Sequence, residues 1–153
     1  MQKISTCLCF DGQAEEAAKF YVSVFRNSKI RQITHYGDTG PGKKGSVMAV
    51  FFELDGGEFL ALNAGPNFKF NHAVSLMVNC ETQAEIDEMW GKLSAGGTTE
   101  QCGWLRDKYG LSWQVAPAIL SQLLRDPAKS DKVMREVVKM TKLDIATMQK
   151  ATA

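Results

Sequence analysis

Two histidines, His35 and His72, and four cysteines, Cys7, Cys9, Cys80 and Cys102, are the residues here with types suited to acid–base, metal or nucleophilic chemistry. Histidine gives and takes protons near neutral pH and ligates metals. The cysteines form no CxxC pair, and two histidines are too few to complete a structural zinc site with them. Cys7 and Cys9 project from one face of an expected strand, and all four thiols read as buried apolar side chains in a reducing compartment. A glycine-rich stretch, Gly37 to Gly45, lacks the P-loop pattern and opens no helix, so it reads as a mobile hairpin loop with His35 exposed beside it. Gln114 is the other residue of chemical interest. In the run Leu111 to Ala116, Leu111, Trp113 and Val115 alternate with Ser112, Gln114 and Ala116. Period two puts the sets on opposite faces of a strand. One set can pack against helices, which leaves Gln114 facing the other way. Its amide joins donor and acceptor, so it can orient a polar ligand or bond a neighbouring strand.

The elements that must hold these residues follow from periodicity and punctuation. Strands are expected over Lys3 to Phe10, Lys29 to Tyr36, Ser46 to Leu54 and Glu58 to Asn63, with a helix over Ala14 to Phe25. Asp55-Gly56-Gly57 is a tight-turn signal between two of them. After a linker-like stretch, Ala64 to Asn71, the order repeats. A strand is expected over His72 to Val78 and a helix over Glu81 to Leu93. Short strands are expected over Thr98 to Cys102, Trp104 to Leu105 and Leu111 to Ala116. Thr82 followed by Glu85 fits a capping box. Gln13-Ala14-Glu15 is echoed by Gln83-Ala84-Glu85, which suggests an internal duplication. Beyond Pro117 three helices are expected, over Ala118 to Leu124, Asp131 to Met140 and Leu143 to Met148. This tail packs either on its own sheet or across a dimer.

The composition bounds the function. With 153 residues, 44% hydrophobic and 23% charged, the chain reads as one globular domain spanning residues 1–153. A formal net charge of +1 makes no electrostatic case for nucleic acid or an acidic membrane surface. No apolar run reaches the roughly 20 residues that span a bilayer, and the N-terminus shows no secretory signal, so a cytoplasmic protein is expected.

Four motifs carry a family resemblance. They are Phe10-Asp11-Gly12-x-Ala14-Glu15-Glu16-Ala17-x-x-Phe20-Tyr21, Leu62-Asn63-x-Gly65-Pro66-x-Phe68-x-Phe70-Asn71, Val78-Asn79-Cys80-Glu81-x-Gln83 and the hairpin from Cys102 to Gln114. Together with the doubled element order, they resemble the PhnB-like, or demethylubiquinone methyltransferase-like, branch of the vicinal oxygen chelate superfamily. That superfamily includes glyoxalase I, extradiol dioxygenases and the bleomycin- and fosfomycin-resistance proteins. The resemblance covers about residues 3 to 117. It implies an α+β fold of two tandem βαβββ modules (about 1–66 and 71–117) forming an open barrel-like cavity, with a helical tail over 118–153.

The resemblance also implies where a site would lie. Metal-using relatives take ligands from the first and last strands of each module. Those places fall near Thr6 (or Ile4), Asn63 (or Ala61), His72 and Gln114. One imidazole among amides, a hydroxyl and alkyl groups, with no carboxylate, is a poor set for a divalent ion. The expectation is no cofactor and at most a weakly bound divalent metal. His72 is then the candidate catalytic residue, with Thr6, Asn63 and Gln114 as ligand-binding residues and Trp104 and Trp113 as core or pocket wall. As walls, the tryptophans would favour a flat or apolar ligand. The expected function is small-molecule binding, or catalysis on a substrate the sequence does not specify, by a homodimer. A metal-dependent lyase or dioxygenase and a ligand-sequestering, drug-resistance-type dimer are the alternatives. Methyl transfer finds no support, because no Gly-x-Gly turn between strand and helix leads to an acidic ribose partner.

Overall fold

A computed structural model describes residues 2–153. The chain divides after Lys69 into two compact units. The first unit contains β1 (Thr6–Phe10), α1 (Ala14–Val24), β2 (Lys29–His35), β3 (Val47–Leu54) and β4 (Gly57–Asn63). Its sheet runs β1-β4-β3-β2, with β1 parallel to β4 and the other pairs antiparallel. Alternation decides which face α1 covers. Leu8, Phe10, Val50, Phe52 and Ala61 are buried with Ala17, Ala18 and Tyr21 of the helix. Tyr21 stacks on Phe52 at 6.5 Å, and Phe52 on Phe59 at 5.4 Å. Asp55 and Gly56 both take positive φ, as the two-residue turn between β3 and β4 requires.

The glycine-rich stretch is folded back on Tyr36. Gly45 N–H donates to the Tyr36 carbonyl at 2.8 Å, and the tyrosine hydroxyl donates to the Asn63 carbonyl at 2.7 Å. The ring lies against Gly42, where a Cβ would come within 2.1 Å of it. Glycine is needed there for close approach.

The second unit repeats the plan with β5 (Ser75–Cys80), α2 (Gln83–Ser94), β6 (Thr98–Thr99), β7 (Trp104–Arg106) and β8 (Ser112–Pro117). Its sheet runs β5-β8-β7-β6, the same order as the first. The two modules even share a junction. Ala64 N–H bonds the Phe10 carbonyl in the first, and Ala118 N–H bonds the Cys80 carbonyl in the second. The fold is α+β, built of two tandem βαβββ modules, and each four-stranded sheet is open rather than closed into a barrel. The expected capping box forms: Glu85 N–H donates to Thr82 Oγ1 and Glu81 N–H to Glu85 Oε2.

The first strand starts at Thr6 rather than Lys3, and three of the other boundaries that differ from expectation do so for a local reason. Strand β5 starts at Ser75, where pairing with Ser112 begins, so His72 precedes it in a turn. Strand β6 ends at Thr99, because Cys102 and Gly103 take positive φ and turn the chain. In the tail, Asp126-Pro127 starts a helix instead of only breaking one. Asp126 Oδ1 accepts from Ala128 N–H at 3.0 Å, and proline suits a first helical turn.

That tail is α3 (Ile119–Arg125), α4 (Pro127–Val137) and α5 (Ile145–Ala151). It packs within its own unit. Leu123, Val133, Val137, Leu143 and Met148 form a buried cluster with Ala116 of β8. Gln83 of α2 clamps it, donating to the Leu143 carbonyl at 3.0 Å and accepting from Ile145 N–H at 2.9 Å. Among the described residues no helix is long and apolar enough to cross a membrane.

Candidate functional site

Register partners in a sheet share a face. In the second sheet Met77 and Trp104 are both partners of Gln114, while Ser75 and Arg106 are both partners of Ser112. These six residues therefore lie on one face. The other face, with buried Leu105, Trp113 and Val115, packs against α2. Just past β6, Glu100 extends the ladder through its N–H to the Trp104 carbonyl at 2.9 Å.

A polar cluster gathers on the face that α2 leaves uncovered. His72 Nε2 lies 2.8 Å from Glu100 Oε2, and Arg106 Nε lies 3.2 Å from the same oxygen. The imidazole stands 6.2 Å from the Trp104 ring, tilted to it. Gln114 Nε2 donates to Ser75 Oγ at 2.9 Å. An ionised carboxylate only accepts hydrogen bonds, so Nε2 carries the proton in the contact with Glu100. Nδ1 is then the ring nitrogen left to act on a ligand. The His72 side chain is 55% exposed, which leaves it reachable.

The expected site residues thus separate. His72, Trp104 and Gln114 come together on this face. On the first strand of the module Gln114 has Met77 as its register partner and Ser75 as its hydrogen-bond partner, while His72 lies before the strand and reaches the face through Glu100. Trp113 points the other way. It is 2% exposed, and its indole N–H donates to Asp107 Oδ2 at 2.8 Å, so it is core rather than pocket wall. Thr6 is in register with Phe59, on the face that packs against α1 in the first unit. Asn63 is a cap: its Oδ1 accepts from Ala14 N–H at the start of α1, and its Nδ2 donates to the Val47 carbonyl, both at 3.0 Å. Gln13, the N-cap residue of α1, makes no side-chain cap of its own. On the uncovered face of the first sheet stand Cys7 and Cys9, with Leu60 and Leu62 as their partners.

Glu100, Arg106 and Ser75 are the contributors that residue-by-residue reading missed. Arg106 falls between two expected strands, and Glu100 lies inside an expected strand with nothing to mark it. Parity held the signal: Thr98 and Glu100, like Trp104 and Arg106, are two apart. All four cysteines are free thiols. Burial, then the Glu85 and Glu81 carboxylates, push the Cys80 thiol up to about 11, which keeps it protonated and unreactive. The first unit also holds a concavity of about 330 Å³, lined by Asp11, Glu15, Tyr36, Pro41 and Asn63 among others.

The residues do not suit a divalent metal. Around Gln114 the available donors are the Ser75 hydroxyl and the Met77 thioether, with no imidazole or carboxylate. His72 and Glu100 bond each other, with the Arg106 cation beside them. Among the described residues no three His, Cys, Asp or Glu side chains gather as a metal site.

Comparison with known proteins agrees with this architecture. The chain is 44% identical to a Bacillus cereus PhnB protein that bears the provisional description 3-demethylubiquinone-9 3-methyltransferase. The match has a TM-score of 0.70 and covers 76% of this chain and 100% of that one. A Pseudomonas aeruginosa protein matches at 19% identity and a TM-score of 0.64, over 76% of this chain and 98% of its own. The fosfomycin resistance protein FosX of Listeria monocytogenes matches at 13% identity and a TM-score of 0.61, over 82% and 98%. These last two likenesses are of fold. No curated protein matches the chain. The profile of the 3-demethylubiquinone-9 3-methyltransferase family matches residues 2–116. With the Bacillus cereus PhnB likeness beside it, this chain belongs to that PhnB-like family.

Proposed function

We propose that this protein binds a small organic molecule on the uncovered face of its second sheet and acts on it by proton transfer through His72, without a tightly held metal. The observation that carries the reading is the 2.8 Å contact of His72 with Glu100 above Trp104. It orients an accessible imidazole over an aromatic floor, in the way a carboxylate commonly positions a general base. Gln114 supplies the orienting amide, with its Oε1 directed to no partner among the described residues. The family's name does not carry methyl transfer to this chain. The strand-to-helix turns, Asp11-Gly12-Gln13 and Glu81-Thr82, lack the glycine pattern that cradles a nucleotide-like cofactor.

A homodimer is part of the proposal. Phe51 on the first sheet is 39% exposed, and Met134 and Val138 lie one turn apart on the surface of the tail. Such apolar surface suits a second copy.

A thermal-shift screen of wild type and His72→Ala against small organic acids, amides and phenols tests the core of the reading. A ligand that stabilises the wild type should lose at least half of its shift in the variant, and any turnover should vanish. A ligand held equally by both proteins removes His72 from the site, and turnover retained in the variant ends its catalytic role. Elemental analysis of protein purified without added metal should find no ion near stoichiometry; one found there would favour a metal-dependent lyase or dioxygenase. Sedimentation as a monomer would sink the dimer.

A further inference from the structure

We infer that the ligand of the second sheet is a flat organic carboxylate, its carboxylate held by Arg106 and its unsaturated body laid against Trp104. The inference rests on the uncovered-face reading above and names the class of molecule it takes. Unengaged charge on this face is lopsided. Glu100 is its carboxylate, and that group is already engaged by both His72 and Arg106. The Arg106 cation, by contrast, keeps donors in reserve. Arg106 uses Nε for Glu100, and its two Nη nitrogens have no partner among the described residues. Ser75 Oγ accepts from Gln114, so its own O–H remains to be given.

A planar anion answers the Arg106 and Ser75 donors together, and the guanidinium fork matches a carboxylate in shape. An amine has no free acid to meet here. The aromatic floor sets the rest of the molecule. Trp104 and Arg106 are two residues apart on β7, so they share a face about 6.6 Å apart along the strand. A carboxylate joined to a ring by a short conjugated arm spans that separation. The indole face favours a flat partner over a puckered one.

Calorimetric titration of the full chain with four probes tests the assignment: cinnamate, cinnamamide, 3-cyclohexylpropanoate and 2-phenylethylamine. Cinnamate should bind about tenfold or more tightly than the neutral amide or the amine. The saturated acid should bind several-fold more weakly than cinnamate. Arg106→Gln should weaken cinnamate about tenfold and leave cinnamamide unchanged, and Arg106→Lys should restore only part of the loss. Trp104→Leu should erase the preference for the flat acid. The carboxylate class is overturned if cinnamamide equals cinnamate, or if Arg106→Gln leaves cinnamate binding intact. A neutral probe that binds as tightly as cinnamate and is lost in His72→Ala would remove the anion and leave the uncovered-face reading standing. Cinnamate bound equally by the His72, Trp104 and Arg106 variants would end both. Absence of binding by all four probes removes the flat-carboxylate assignment, and the thermal-shift screen then decides the face by itself.

Discussion

Asp107 shows how one side chain sets the geometry of the hairpin that carries the site. It is 3% exposed, and its carboxylate accepts from Tyr109 N–H at 2.8 Å, Leu111 N–H at 3.1 Å and the Trp113 indole at 2.8 Å. The first two bonds shape the turn, as an aspartate there is expected to do. The third ties the turn to the core face of β8, and so fixes which way Gln114 points. Asp107→Ala would leave buried donors unmet, and a loss of about 3 kcal/mol is expected from urea unfolding. A change below about 0.5 kcal/mol, the scale of an ordinary surface substitution, would show that the carboxylate does not hold the hairpin.

At the scale of the element, the weakest part of the site is β6. It is two residues long, lies at the sheet edge, and leads directly into Glu100. Gly97 lets it approach β7: a Cβ there would sit 2.1 Å from the Arg106 carbonyl oxygen and 2.8 Å from the Asp107 carbonyl carbon. Backbone cannot yield as a flexible side chain does, so Gly97→Ala must part the strands. It is expected to cost about 1–3 kcal/mol, the range for overpacking. It should also carry Glu100 away from His72. Nitrogen chemical shifts of the His72 ring report that separation, and an unchanged ring signal would refute it. Gly91 makes the control. It lies in α2 with nothing near its added Cβ, so Gly91→Ala should stabilise by about 0.5–1 kcal/mol.

For the whole molecule, the tail is a third layer built onto the second module alone. Its helices bury Val133, Leu143 and Met148 against Ala116, and electrostatics pins its last helix. The Lys142 ammonium, 2.9 Å away, and the Gln83 amide hold the Asp87 carboxyl below its usual range. The Thr147 N–H and hydroxyl do the same for Asp144, the cap of α5. A carboxyl lowered on folding adds stability at pH values above its unfolded value, ordinarily 3.8, and that stability is lost as pH falls through the lowered value. Both groups are at the surface, so the effect is local rather than global. The Cα chemical shifts of Ile145–Ala151 should therefore drift toward coil values only in strong acid. Lys142→Ala should move the Asp87 titration upward. Helical shifts unchanged after both carboxyls have protonated would show that apolar packing alone holds α5.

The sequence by itself determined the element order, the duplication, the Thr82 cap and the opposition of Trp113 to Gln114, because each is written in local spacing. Period two says that neighbouring side chains part to opposite faces; it does not say which face a helix will cover. That choice depends on register between strands distant in sequence. For this reason Thr6 and Asn63 could be placed at strand positions, yet only the pairing of Thr6 with Phe59 and the bond from Ala14 to Asn63 put them on the helix side. His72 shows the same limit at a strand end. The alternation of Val74, Leu76 and Val78 continues unbroken toward it, but the ladder starts only where Ser112 stands opposite Ser75. Tertiary structure alone brought Glu100 and Arg106 to His72, residues 28 and 34 positions away along the chain, because a carboxylate at a sheet edge can meet both only once the strands have paired.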